Sequence, residues 1–219
     1  MKMYRCKPNK KVIGREAVQK GRPREFDVEQ VLDKALKVFW EHGYEGASLT
    51  DLTEAMGISR PSLYGAFGSK EELFKLALER YEQKGPGSLY RDAIAQPTAR
   101  AVVEKLLTGC AMFLSDPSNP PGCLAVQGAL SCGEAAESIK QELCRRRSMG
   151  EKELRDRFER AKAEGDLPAD ADPDALARYT MTVAQGMAVQ ATSGASREAL
   201  LAVAEMALQA WPVAKEKTR

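Results

Sequence analysis

Arg60, Ser62, Tyr64 and Lys70 lie within eleven residues and carry a guanidinium, two hydroxyls and an ammonium. That set suits a nucleic acid. A guanidinium can pair bidentately with guanine O6 and N7, so Arg60 is the candidate base reader. Hydroxyls suit phosphate oxygens, which qualifies Tyr64 and, ten residues before Arg60, Thr50. Ser62 can touch either a base edge or a phosphate. Lys70 falls in the first turn of a helix, where its ammonium and the local N–H groups can meet one phosphate. Gly65 leaves room for close approach. Upstream, Arg22 and Arg24 sit on a flexible Gly-Arg-Pro-Arg arm that can enter an adjacent minor groove. Each of these side chains could instead be an ordinary exposed one.

The elements that must position them are read from 48–67, SLTDLTEAMGISRPSLYGAF. Ser48 and Asp51 have capping-box spacing, with Asp in place of Glu. Leu52, Ala55 and Met56 recur at helical spacing and give the first short helix an inner face. Gly57 ends it, and Ile58 plugs the turn. Ser59 caps a second helix, with Pro61 tolerated in its first turn. Leu63 and Phe67, four apart, point to the core and leave Arg60, Ser62 and Tyr64 outside. This is a helix-turn-helix, and Ser48 and Ser59 join the candidate DNA contacts at its two helix starts.

The longer run FWEHGYEGASLTDLTEAMGISRPSLYGAFGSKEELF, 39–74, resembles the DNA-binding domain of the TetR/AcrR family of one-component repressors. The resemblance rests on the aromatic followed by Gly43-Tyr44, on Leu63-Tyr64, and on Phe67 followed by Ser69-Lys70-Glu71, and covers about 22–84. It implies phosphate contacts at Thr50, Tyr64 and Lys70. It also implies a homodimer on a double-stranded operator, and a C-terminal domain with a pocket for a small-molecule inducer. Many family members carry a larger polar residue at the position of Gly65, so this chain is expected to read fewer bases directly.

Charge distribution agrees with a DNA-binding arm. Residues 1–25 hold nine Lys/Arg against two Glu, leaving the other 194 residues with 24 basic against 29 acidic side chains. A solvated tail without a partner is the alternative. The five cysteines, Cys6, Cys110, Cys123, Cys132 and Cys144, are odd in number and lack a CxxC. With no secretory segment before them, reduced thiols in the cytoplasm are expected. No apolar run is long enough to span a bilayer, so no membrane partner is expected.

The expected fold is all-α with about nine helices. The domains are a disordered basic arm over 1–21, the helix-turn-helix domain over 22–84, a ligand-binding and dimerisation domain over 85–213, and a charged tail over 214–219. Asp27 caps a first helix, about 28–42, that Gly43 stops; Lys84-Gly85-Pro86-Gly87 marks the domain boundary. Further helices are expected near 98–114, 124–130, 134–165 (with Gly150 a kink or division), 173–192 and 196–211. The last two are apolar on more than one face, as in a deep core or at a partner. Gly186, Leu201, Ala204, Leu208 and Trp211 are the candidate dimer contacts. A pocket between the helices at 98–114 and 173–192 is assigned Cys110, Phe113, Cys123, Met181 and Gln185, with simple core packing as the alternative.

Catalysis has little support. His42 is the only histidine, so no Ser/His or multi-His metal set exists. Cys123, Cys132 and Cys144 have spacings that match no zinc pattern. Neither metal nor cofactor is expected, and the chain reads as a regulator rather than an enzyme. Two alternatives to the ligand-released repressor stay open. One is an architectural helix-turn-helix protein binding by charge. The other is a thiol or soft-metal sensor, with Cys144 beside Arg145, Arg146 and Arg147 as its best candidate, because nearby cations favour a thiolate.

Overall fold

The computed structural model describes residues 26–130 and 136–212. The basic arm, Arg22, Arg24, Cys6, Cys132 and the charged tail lie outside them. The described residues form ten helices and no strand.

Helix α1, Val28–Gly46, opens on Asp27, whose carboxylate accepts from the N–H groups of Glu29 and Gln30. Its inner stripe is Val31, Leu32, Ala35, Leu36, Phe39 and Trp40. The non-helical backbone of Gly43 interrupts it where the sequence places its end, and one further turn follows. Then come α2 (Leu49–Met56), α3 (Arg60–Phe67) and α4 (Lys70–Lys84). The body is built from α5 (Pro86–Ile94), α6 (Ala99–Leu114), α7 (Leu124–Leu130), α8 (Glu137–Ala163), α9 (Pro173–Thr192) and α10 (Arg197–Gln209).

Helix α5 is the element the sequence reading lacks. Gly85-Pro86-Gly87 reads as a break, yet proline is well placed as the first residue of a helix, and Pro86 is that residue. Gly85 is there for space: a Cβ on it would lie 2.6 Å from the Phe113 ring. Gly150 neither kinks nor divides α8, which runs unbroken for 27 residues. Its carbonyl accepts a hydrogen bond from the Tyr90 hydroxyl of α5. Arg157 of α8, buried, donates to the carbonyls of Gln96 and Pro97 just beyond α5, at 2.9 and 3.0 Å.

Two apolar cores result. The first joins α1 to α4 and is completed by Leu124, Ile139 and Leu143 of α7 and α8. The second gathers α5 to α10. Phe113 and Cys123 pack against both. At that junction Phe113 stacks on Trp40, centroids 5.5 Å apart, and Tyr81 meets Trp40 edge-on at 4.6 Å. Trp40 Nε1 donates to the Gly122 carbonyl at 3.1 Å. Each fully buried large side chain contributes about 1.5–3 kcal/mol.

The second core bears on the five candidate dimer contacts. Ala204, Leu208 and Trp211 are buried within their own chain, Trp211 only 4% exposed and 5.3 Å from the Phe158 ring. Leu201 is half-buried against the same core. Only Gly186 of the five faces solvent. Leu200, Ala204, Ala207 and Leu208 of α10 turn inward, whereas Val203 and Met206 of α10 and Val189 of α9 are left on the outside.

Candidate functional site

The helix-turn-helix is held by its caps. Ser48 Oγ accepts from Asp51 N at 3.1 Å while Asp51 Oδ2 accepts from Ser48 N at 2.9 Å. These bonds from Ser48 hold the Asp51 carboxyl below its usual range. Gly57 then takes φ 70°, ψ 32°, a left-handed conformation open to glycine at little cost. Its N–H and that of Ile58 both return to the Thr53 carbonyl, which fixes the sharp turn. Ser59 caps α3 through Ser62 N, and the two serine hydroxyls lie 2.9 Å apart. Leu52, Met56, Leu63 and Phe67 are buried; Ala55, expected inward, is exposed.

What remains outside is a polar face. Arg60, Tyr64 and Gly65 are exposed, Tyr64 by 46%. A Cβ on Gly65 would meet nothing within 4 Å, so the surface there is open. Arg60 Nη2 donates to Thr50 Oγ1 at 2.9 Å, which ties the candidate base reader to a candidate phosphate contact on α2. Ser69 and Glu72 form a second capping box at the start of α4. There Lys70 holds its ammonium 4.7 Å over the Tyr44 ring, and partial burial lowers its pKa. Thr50, Arg60, Ser62, Tyr64 and Lys70 thus belong to one contiguous pair of helices and the helix start that follows. Ser48 and Ser59 spend oxygen lone pairs on caps, and the Ser59 hydroxyl is also hydrogen-bonded to that of Ser62.

A cavity of about 530 Å³ is walled by α4 to α9. Cys110, Phe113, Cys123, Met181 and Gln185 all line it. Tyr81 donates to Cys123 Sγ at 3.3 Å. Burial pushes the Cys110 thiol up to about 12. Cys144 is not on the wall; its sulfur accepts from Arg147 Nη2 at 3.3 Å.

Several wall residues escaped the sequence reading. Leu89 and Tyr90 sit on the missed α5. Glu82, Arg146 and Arg147 look like a solvated charge run. The available signal was periodicity: Arg146, Arg147 and Gly150 fall between Leu143 and Leu154 on the inner stripe of α8. Arg146 donates to Glu82 of α4 and to Glu142, the latter at 2.6 Å. Arg145 and then Arg146 hold the Glu142 carboxyl down at about 2, whereas burial raises that of Glu82.

Among the described residues no group of three His, Cys, Asp or Glu is placed to hold a metal ion. His42 is exposed beside Glu41. No described helix is long and apolar enough to cross a membrane.

The family model for bacterial regulatory proteins of the tetR family matches residues 31–77, and that for the tetracyclin repressor-like C-terminal domain matches 99–207. The HTH-type transcriptional repressor ComR of Escherichia coli K12 is 34% identical over 197 residues, 88% of this chain and 92% of that one. A cysteine mutant of the TetR family regulator CifR, solved with 26-base-pair operator DNA, superposes with a TM-score of 0.83. It is 45% identical and covers 87% of this chain and all of its own. A putative TetR regulator from Rhodococcus sp. RHA1 is 42% identical, with a TM-score of 0.60, over 85% of this chain and all of its own.

Proposed function

This chain belongs to the TetR family of bacterial regulatory proteins, and from that premise we propose that it is a homodimeric repressor released from its operator by a small molecule in the cavity. The observation that carries the reading is the junction at Phe113. That ring lines the cavity and stacks on Trp40 of α1, in the core that also holds α2 and α3. A ligand that moves Phe113 therefore pushes on the scaffold of the recognition helix. The head spans 22–84 and the body 85–213, and the protein acts in the cytoplasm without catalysing a reaction.

Base reading is assigned to Arg60, phosphate contact to Thr50, Tyr64 and Lys70, and either role to Ser62. Ser48 and Ser59 add phosphate contacts at the helix starts, and Arg22 and Arg24 reach the minor groove. ComR, a repressor by name, and CifR, solved on operator DNA, support the DNA-binding half. The thiol-sensing alternative rests on Cys144 beside Arg147. The cavity reading has the wider support, since all five side chains assigned to a pocket line one cavity.

The test is a footprint on the DNA upstream of the protein's own gene. The expected result is a protected palindrome whose half-sites lie about one helical turn, roughly 34–36 Å, or a somewhat wider spacing apart. Equal affinity for that duplex and for random DNA would favour the architectural alternative.

A further inference from the structure

The cavity is apolar over most of its wall, but its charged residues are unbalanced. Arg91, Arg145, Arg146 and Arg147 line it against only Glu82 and Glu153. Arg145 and Arg146 share Glu142. Arg147 has two contacts, to the Ala125 carbonyl at 3.4 Å and Cys144 Sγ at 3.3 Å, and among the described residues it pairs with no carboxylate. A guanidinium offers five N–H donors in a planar fork shaped for a carboxylate. The second unusual group is Glu82. It sits near the end of α4, half-buried, and Arg146 ties it to α8. The same α4 begins at Lys70 on the DNA-facing side.

We propose that the cavity takes an amphipathic organic acid, its apolar body against Phe113 and Met181 and its carboxylate received by Arg147 and Arg146 in competition with Glu82. This rests on the inducer-cavity reading above and adds the ligand's class and the means of release. When the ligand takes Arg146, Glu82 is left as a half-buried charge without its partner. That arrangement is costly, and it is relieved when the end of α4 moves toward water. The ligand thus binds the displaced α4 better than the tied one, which is the condition for shifting the equilibrium.

The test compares decanoate with 1-decanol, and 2-naphthylacetate with 2-(2-naphthyl)ethanol, on the full-length protein by calorimetry and by displacement of its upstream DNA. Each pair has one apolar body, so the difference isolates the acid group. The acid should bind at least about tenfold tighter than its alcohol, the worth of one charge-assisted hydrogen bond. Arg147→Gln should close most of that gap by weakening the acid, and Glu82→Gln should tighten acid binding by removing the competitor. Thermal unfolding of each variant checks that it is folded. Alcohols that bind as well as acids, a gap that survives Arg147→Gln, or no binding by either acid overturns the proposal. The cavity reading is tested apart from it. Ala184→Trp, which plugs the cavity, should block release by any compound that releases the unmodified protein. If the alcohols release DNA and Ala184→Trp blocks them, the cavity stands and the acid class falls. Release that Ala184→Trp does not block overturns both.

Discussion

Arg60 does not wait for DNA as a loose chain. Its bond to Thr50 holds the guanidinium over the α2–α3 face, so part of the ordering cost of base contact is met before binding. The role proposed for Tyr64 and Lys70 is a different one, phosphate contact. Tyr64→Ala and Lys70→Ala should weaken binding to operator and random duplex alike, and loss of the Lys70 charge alone should flatten the log–log salt dependence, by about 0.9. Arg60→Ala should instead cost about 1–3 kcal/mol at a single base pair. Titrations against a set of single-base operator variants separate the two, and an equal loss on every sequence would remove Arg60 as a base reader. The outward placement of Arg60 and Tyr64 was legible in the sequence because caps and glycines fix the two helices locally, leaving little choice of which side chains face out. The arginines of α8 were not. Charge alone suggests solvent, and only the position of Arg146 and Arg147 between Leu143 and Leu154 marks them as lining an interior space.

Among elements, the turn between α2 and α3 depends most on one residue. Gly57 is left-handed at φ 70° with open space around it, so a side chain there meets strain rather than a clash. Gly57→Ala should destabilise the fold by about 1–2 kcal/mol, the cost of a left-handed L-residue. Urea unfolding measures that loss, and an unchanged midpoint would mean the turn relaxes. Most helices could be read from the sequence because each has its own start and stop signals. Helix α5 could not, since Gly85-Pro86-Gly87 has the composition of a linker and only Phe113, 28 positions on, explains why a glycine stands there. The faces of α9 and α10 were ambiguous for another reason. Small and apolar residues surround both helices, so periodicity could not say which stripe turns inward.

On the scale of the molecule, that ambiguity decides which surface pairs two copies. Met206 is 64% exposed beside exposed Val203, and Val189 lies on the neighbouring helix. Met206→Glu with Val203→Glu should yield a folded monomer in sedimentation, with helix content and unfolding midpoint near those of the parent. Trp211→Arg should instead unfold the body, because it places an unpaired charge beside Phe158. A parent protein that sediments as a monomer, or a double variant that stays dimeric, would place the pairing surface elsewhere.

The first core has one more implication. Leu124, Ile139 and Leu143 close it from the far half of the chain. The recognition helices therefore leave the ribosome before the residues that seal their scaffold exist. Until α8 is made, the nascent head carries an open apolar flank, the kind of surface through which incomplete chains stick to one another. A hybrid regulator that grafts this head onto a different body inherits the same flank. Its new body must bring apolar side chains to that spot, or the head will read DNA from a core left open on one side.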